Sequence, residues 1–376
     1  MNPARRRWLE QLARRSGALA LPALPALPRA AAAVTTTPDD DPVRRGRTLA
    51  FPRDHGAHPG ARIEWWYATG WAGSEAAPAF GWQLTFFRSR SFLAEGLASR
   101  FAARQLLFAH AAVSDLAAGR HDHDQRIARW NGDPQAAGDR AALHDADVRL
   151  ARWTLRRDGE RWLSSLPAGS FALEVALART QPLLLQGEAG FSRKGPEERQ
   201  ASHYYSEPQL AADVAITREG RTQRLAGRGW LDHEWSDEIL HPEAVGWDWC
   251  GINLFDGGAL TAFVLRRRDG SALWAGGSFR AAGAASRSFA PDEVRFVPGR
   301  RWRSPATDAD YPVQWQLATP AGQHTLNALL DAQEMAAQGA GGTIYWEGLS
   351  ELLDAGGRRI GLGYLEMTGY AGRLRL

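Results

Sequence analysis

Four short clusters carry the residue types that do chemistry in this chain: Glu64-Trp65-Trp66-Tyr67, Trp230-Leu231-Asp232-His233-Glu234-Trp235, Trp247-Asp248-Trp249 and Tyr345-Trp346-Glu347. Each sets a carboxylate among tryptophan and tyrosine, and one adds a histidine. A carboxylic acid in apolar surroundings is held neutral near pH 7, because burial penalises its charged form, and it then becomes a proton donor. Aromatic faces beside it stabilise a carbocation through their quadrupole. A histidine or second carboxylate orients the attacking water. Together these are the parts needed to add water across a C=C bond. The same clusters also describe an aromatic-walled site for a greasy ligand. A plainer reading makes them core tryptophans at strand ends, each with a partner for its indole N–H.

Other chemistries fit less well. The Asp232-His233-Glu234 run also reads as a hydrogen-bonded knot at a domain junction, satisfying buried backbone groups. His233 with Glu234, or His121-Asp122-His123-Asp124, offers metal-ligand types, but the second run is flanked by Gly119 and Arg120 as a solvated turn is. Zinc-enzyme spacings such as two histidines four apart on a helix are absent. No metal and no cofactor is expected. No Gly-x-Ser-x-Gly elbow occurs, and the one cysteine, Cys250, lacks the context of a nucleophile. His55 and His58, near Pro59, read as fixing a loop over one end of the fold, or as gating it.

The elements that must position these residues read as strands. Phe80–Phe87, Phe171–Leu177, Ala211–Thr217, Leu260–Leu265 and Val313–Leu317 are short apolar or alternating runs. The pairs Asp158-Gly159, Glu219-Gly220, Asp256-Gly257 and Asp269-Gly270 punctuate them as turns. Helical pieces are expected only around Ala102–Phe108 and Leu326–Ala337. The fold class is therefore all-β, built from antiparallel barrels. The length calls for two of them in succession, over 51–225 and 226–376, with the boundary near Arg221–Gly229. The halves rhyme weakly, each opening on an acid-bearing tryptophan segment and continuing into strands holding Gln83 and Asn253.

The first 33 residues read as an address. Arg5-Arg6-Arg7-Trp8-Leu9 fits a twin-arginine signal, an apolar stretch broken by Pro22, Pro25 and Pro28 follows, and Ala30–Ala33 supplies small residues for cleavage. Residues 34–50 form a flexible lead-in. The product is expected in the periplasm or outside the cell. The first 33 residues hold six arginines and one glutamate, so the rest of the chain is close to −2 although the whole carries +3. The remaining cations are nearly all arginine, with Lys194 the sole lysine, as a G+C-rich genome would produce. No basic stripe appears, and nucleic acid is excluded as a partner. Replacing Arg5 and Arg6 with lysine is expected to leave the uncleaved chain in the cytoplasm; unchanged maturation on cell fractionation would overturn the export reading.

Phe51-Pro-Arg-Asp-His-Gly-Ala-His-Pro-Gly, Glu64-Trp-Trp-Tyr and Gly81-Trp-Gln-Leu-Thr-Phe-Phe-Arg resemble the opening of the CrtC/AttH-like lipocalin family, which includes carotenoid 1,2-hydratase. His203-Tyr-Tyr-Ser, Gly229-Trp-Leu-Asp-His-Glu-Trp, Gly246-Trp-Asp-Trp, Tyr345-Trp-Glu-Gly and Gly363-Tyr-Leu-Glu-Met-Thr-Gly-Tyr follow in matching order, so the resemblance runs from about Phe51 to Tyr370. It is closer to the secreted branch, commonly labelled a predicted hydrolase, than to the pigment hydratases. The resemblance implies two consecutive lipocalin-like barrels and a lipid or isoprenoid-like partner. It implies a carrier or chaperone working with an ABC-type permease complex, or alternatively an acid-catalysed hydratase or isomerase. For the enzyme, it matches Asp248 to the acid, His233 to the residue orienting water and Trp235 to the cation-facing ring. On a strand Asp248 points away from Trp247 and Trp249, so those rings serve a different face. Ligand contacts are expected from Glu64, Trp65, Trp66, Tyr67, Gln83, Tyr204, Tyr205, Trp247, Tyr345, Trp346 and Glu347.

Overall fold

Side-chain alternation decides this architecture. Along Ala172–Ala178 every second residue is buried, and Leu173, Val175 and Leu177 enter the core while their neighbours do not. Runs of this kind pair antiparallel throughout the computed structural model, which describes residues 42–91, 99, 102–238, 240–335 and 344–373. The expected export signal and the start of the lead-in lie outside the described residues. Those described belong to one compact unit. Their regular structure is strand, with short 3-10 turns at Arg53–His55 and Pro291–Glu293.

Two large sheets and one two-stranded ribbon, Arg301–Arg303 with Asp310–Pro312, make up the described strands. The first has 13 strands and forms a nearly closed barrel; its path runs Arg120–Trp130, Gln105–Asp115, Pro78–Arg90, Ile63–Gly73, Arg221–Ser236, Ala201–Arg218, Ala172–Ala178 and on through the short strands before it. The second has ten strands and forms a half-barrel, with Ala272–Arg280, Ala259–Arg267, Ala244–Leu254, Arg359–Thr368 and Tyr345–Leu353 side by side. The all-β class and the two successive lipocalin-like sheets are as expected. The dividing point is not. Arg221–Ser236 is one strand, paired with Ala201–Arg218 along its length and with Ile63–Gly73 through its second half, so the sheets part between Ser236 and Ala244 rather than at 225/226. Its exposed first half reads like a linker, but Glu219 and Gly220, at φ 50° and 75°, close it onto Arg218 as a two-residue hairpin.

Neither expected helical piece is helix among its described residues; each is loop leading into or between strands. Leu107, Ala109, Ala111 and Val113 enter the first core from Gln105–Asp115, while Leu106, Phe108 and His110 face away. Helix-favouring alanine and leucine here yield to cross-strand packing. Gly322–Ala328 and Glu334–Met335 replace the second piece.

Alternation also builds a third core where the sheets meet, from Tyr67, Trp71 and Trp230 of the first and Trp249, Phe263, Leu349 and Tyr364 of the second. Gln209 pins the joint. It holds φ at 58°, its N–H donates to Asn253 Oδ1 at 2.7 Å, and its side-chain amide donates to the carbonyls of Leu254 (2.8 Å) and Gly258 (2.7 Å). Buried backbone carbonyls at a junction need such donors.

Candidate active site

Between the sheets lies a narrow cavity of about 120 Å³. Strand register orders its walls. On the first sheet, Tyr204, Glu234, Trp65, Phe87 and Phe108 stand in one row across five neighbouring strands. Asp232, Tyr67, Thr85 and His110 form the next row. On the second sheet, Phe263, Trp249, Glu366 and Glu347 make a facing row, and Leu265 and Trp247 continue beside it with Thr368 and Tyr345. Aromatic rings are the commonest lining, with carboxyls set among them.

Glu347 and Glu366 are cross-strand neighbours. Burial pushes the Glu347 carboxyl well above the usual range, the adjacent Glu366 pushes it further, and the nearby Tyr67 and Tyr345 hydroxyls only partly oppose this. Neither Glu347 oxygen, nor the Tyr67 hydroxyl, has a well-directed hydrogen-bond partner among the described residues. Glu366 is pushed up to about 7 by burial and by the negative Asp232, Glu234 and Asp248, against a bond from Trp247. Like charges this close do not both ionise readily, so the pair retains a proton at neutral pH. His110 Nδ1 meets the Tyr345 hydroxyl at 2.6 Å beside them.

The other end of the cavity is differently charged. Asp232 accepts from the Tyr204 hydroxyl and from Trp230 Nε1, each at 2.8 Å, and from Ser206; burial nevertheless raises it to about 7. Glu234 accepts from Ser202 and pairs with Lys194 Nζ at 3.0 Å. The cavity therefore holds a protonated acid pair at one end and a lysine-bound carboxylate at the other, which is the separation of roles that acid–base chemistry requires.

Of the expected ligand residues, Trp65, Tyr67, Tyr204, Trp247, Tyr345 and Glu347 line this cavity. Trp66 and Tyr205 face the first barrel's core, Trp346 the second sheet's core, and Glu64 a polar network inside the barrel. Gln83 is buried and bonds Thr85 rather than lining the cavity. The expected catalytic trio does not assemble. His233 and Trp235 turn into the first barrel: His233 Nε2 meets Glu64 Oε1 at 3.0 Å, its Nδ1 meets the Tyr205 hydroxyl at 3.2 Å, and Trp235 stacks on His58 with ring centres 3.7 Å apart. Asp248 turns into the second sheet, paired with Arg266 Nε at 2.7 Å and accepting from the Tyr370 hydroxyl at 3.0 Å. A period of two sends His233 and Trp235 to one face and Asp232 and Glu234 to the other.

Sequence reasoning missed Glu366, Lys194 and His110, and passed over Asp232 and Glu234. Alternation from Trp230 would have selected the last two. Glu366 is marked only as the lone acid in the apolar strand Arg359–Thr368.

His58, Glu64 and His233 bring three metal-ligating atoms together. Yet the second Glu64 oxygen is held by the Arg88 guanidinium at 2.7 Å, and His58 also meets Asp54 at 3.1 Å. The cluster therefore already carries a buried cation on its carboxylate. Asp248 is likewise already paired with a cation, Arg266. Asp248→Asn leaves the Arg266 charge buried without its counter-ion, and the expected loss is about 3 kcal/mol, read from the urea midpoint. An unchanged midpoint would contradict this placement.

The model of one protein family, described as AttH-like, matches residues 42–370. No curated protein matches the chain. Among solved structures, an AttH protein of Nitrosomonas europaea is 44% identical, with TM-score 0.80, covering 88% of this chain and 99% of that one. Kievitone hydratase of Nectria haematococca has TM-score 0.64 at 12% identity, covering 88% and 96%. CghA has TM-score 0.51 at 13% identity, covering 89% and 97%. The last two likenesses concern the fold alone.

Proposed function

The chain belongs to the AttH-like family, and we propose that it is an acid-catalysed hydratase acting on a C=C bond of a hydrophobic molecule, with the Glu347–Glu366 pair as proton donor. One observation carries this reading: two cross-strand carboxyls, raised so that they retain a proton at neutral pH, face an aromatic-walled cavity. The pair's proton goes to one alkene carbon. The cation left on the other carbon is stabilised by the faces of Trp249 and Trp65. A water oxygen then bonds to that carbon, and the proton it sheds returns to the pair, so the acid is regenerated.

A carrier needs only the apolar walls. Burying Glu347 with neither oxygen well partnered, next to a second carboxyl, is costly, and carriage gives no reason for the cost; proton donation does. That kievitone hydratase shares the fold is compatible with this but does not establish it. The test is isotopic. The hydrophobe that co-purifies is identified by mass spectrometry, then incubated with the protein in oxygen-18 water. Label entering a hydroxyl on that molecule is expected. An unmodified lipid with no label uptake favours the carrier.

A further inference from the structure

Lys194 stands where the two sheets meet, at the end of the cavity away from the acid pair. Its Nζ lies 3.0 Å from Glu234 Oε1, 4.7 Å from the centre of the Tyr204 ring on the first sheet, and 4.4 Å from that of Phe263 on the second. Its side chain is 23% exposed and lines the cavity. A lysine that serves solubility turns to water; this one lies across two aromatic faces. It is the one lysine in a chain with 45 lysines and arginines. A compact ammonium with three rotatable donors is not interchangeable there with a planar guanidinium.

Register supplies a ruler. Phe263, Trp249 and Glu366 stand on three adjacent strands. With neighbouring strands about 4.8 Å apart, the Phe263 end is roughly 10 Å from Glu366. Lys194 therefore does not touch a carbon that Glu366 protonates. It meets another part of the same molecule.

Charge narrows what that part is. Glu234 already neutralises the ammonium, and Asp232 and Glu238 line the same cavity. A ligand carboxylate would sit against Glu234 with little water to damp the repulsion. A ligand ammonium would meet Lys194 itself. An uncharged oxygen meets neither obstacle. The ammonium has three N–H donors, and Glu234 takes one of them.

We propose that Lys194 is the end-group site of this cavity: it binds an uncharged carbonyl or hydroxyl oxygen carried by the hydrophobic substrate about 10 Å from the alkene. The substrate class is thus a neutral, oxygen-bearing alkene, neither a pure hydrocarbon nor a fatty acid. This rests on the acid-site reading for the position of the alkene, but not for the binding of the oxygen.

The sole lysine makes the test direct. An amine-reactive acylating reagent has two targets on the folded protein, Lys194 and the chain's terminal amine, and peptide mass spectrometry separates them. Four eight-carbon probes are compared at equal occupancy, judged from tryptophan fluorescence: 2-octanone, 1-octanol, octane and octanoate. Octanone and octanol are expected to slow Lys194 acylation about tenfold relative to the terminal amine, the effect of one hydrogen bond to a charged donor. Octane and octanoate are expected to leave it nearly unchanged. Equal protection by octane, stronger protection by octanoate, or no protection by either oxygenated probe up to its solubility overturns the proposal. In Lys194→Met the preference for octanol over octane should vanish, and its persistence is equally fatal; the labelling of the parent protein needs no variant to fold. The measurement involves no turnover and is repeated in Glu366→Gln. Protection there, alongside a parent protein that hydrates nothing, sinks the acid site and leaves the end-group site standing. Hydration that is as fast without the oxygen does the reverse.

Discussion

Glu366→Gln is expected to lower turnover by a hundredfold or more, on the order of what a positioned general acid supplies, and to leave binding of the hydrophobe within about twofold. Glutamine keeps the size of the side chain and an acceptor for Trp247, and removes the ionisable proton. In the parent protein kcat/KM is expected to be full at low pH and to fall as pH rises through about 7, where Glu366 loses its proton. Stability separates this from a structural role. Unfolded, the carboxyl ionises near its ordinary value of 4.5; folded, it keeps its proton to about 7. Between those values the folded state binds more protons, so stability falls as pH rises. Glutamine escapes that loss, and the variant should be more stable than the parent at pH 8, by about 1–3 kcal/mol. A variant that loses activity and stability together would make Glu366 an ordinary buried partner instead.

The sequence clusters point to the right strands but not to the right side chains on them. Glu64 and Trp65 are adjacent in the chain, yet one enters the barrel and the other the inter-sheet cavity. A cluster read as a unit mixes two faces. Alternation alone warns that Asp248 opposes Trp247 and Trp249, and it does; what alternation does not say is which face meets the second sheet. That depends on contacts between Tyr67 and Trp249, or His110 and Tyr345, which are far apart in the chain. The strands themselves were legible, because turn glycines and apolar alternation are local. The sheet boundary was not, because the exposed arginines of Arg221–Arg228 look like linker until their pairing to Ala211–Arg218 is seen. Lys194 was passed over because the chain's preference for arginine made its one lysine look like a remnant of composition.

Glu64→Gln is expected to cost about 3–5 kcal/mol, the usual result of removing one partner from a buried ion pair. Glu64 and Arg88 are both fully buried, at 0% exposure. Glu64 accepts from the His58 backbone N–H at 2.9 Å and faces His58 Nδ1 at 2.7 Å, His233 Nε2 at 3.0 Å and Arg88 Nε at 2.7 Å. Burial alone would raise its pKa, but Arg88 and His58 together hold it well below the usual carboxylate range. A depressed carboxyl contributes stability that is present above its unfolded value and is lost as pH falls toward the folded one. The glutamine variant should therefore be weakest relative to the parent near pH 7, with the difference shrinking in acid. Neutralising both partners, in Glu64→Gln with Arg88→Met, should recover part of the loss, since the uncompensated guanidinium is gone. Recovery is incomplete because Gln105 and the Ala61 carbonyl each lose a donor. Urea midpoints followed by circular dichroism read all three proteins. Because Glu64 faces the barrel rather than the cavity, the folded variant should still bind octanol as the parent does. If it folds with parental stability and loses that binding instead, Glu64 contacts the ligand after all, and the assignment of barrel and cavity faces along Ile63–Gly73 is wrong.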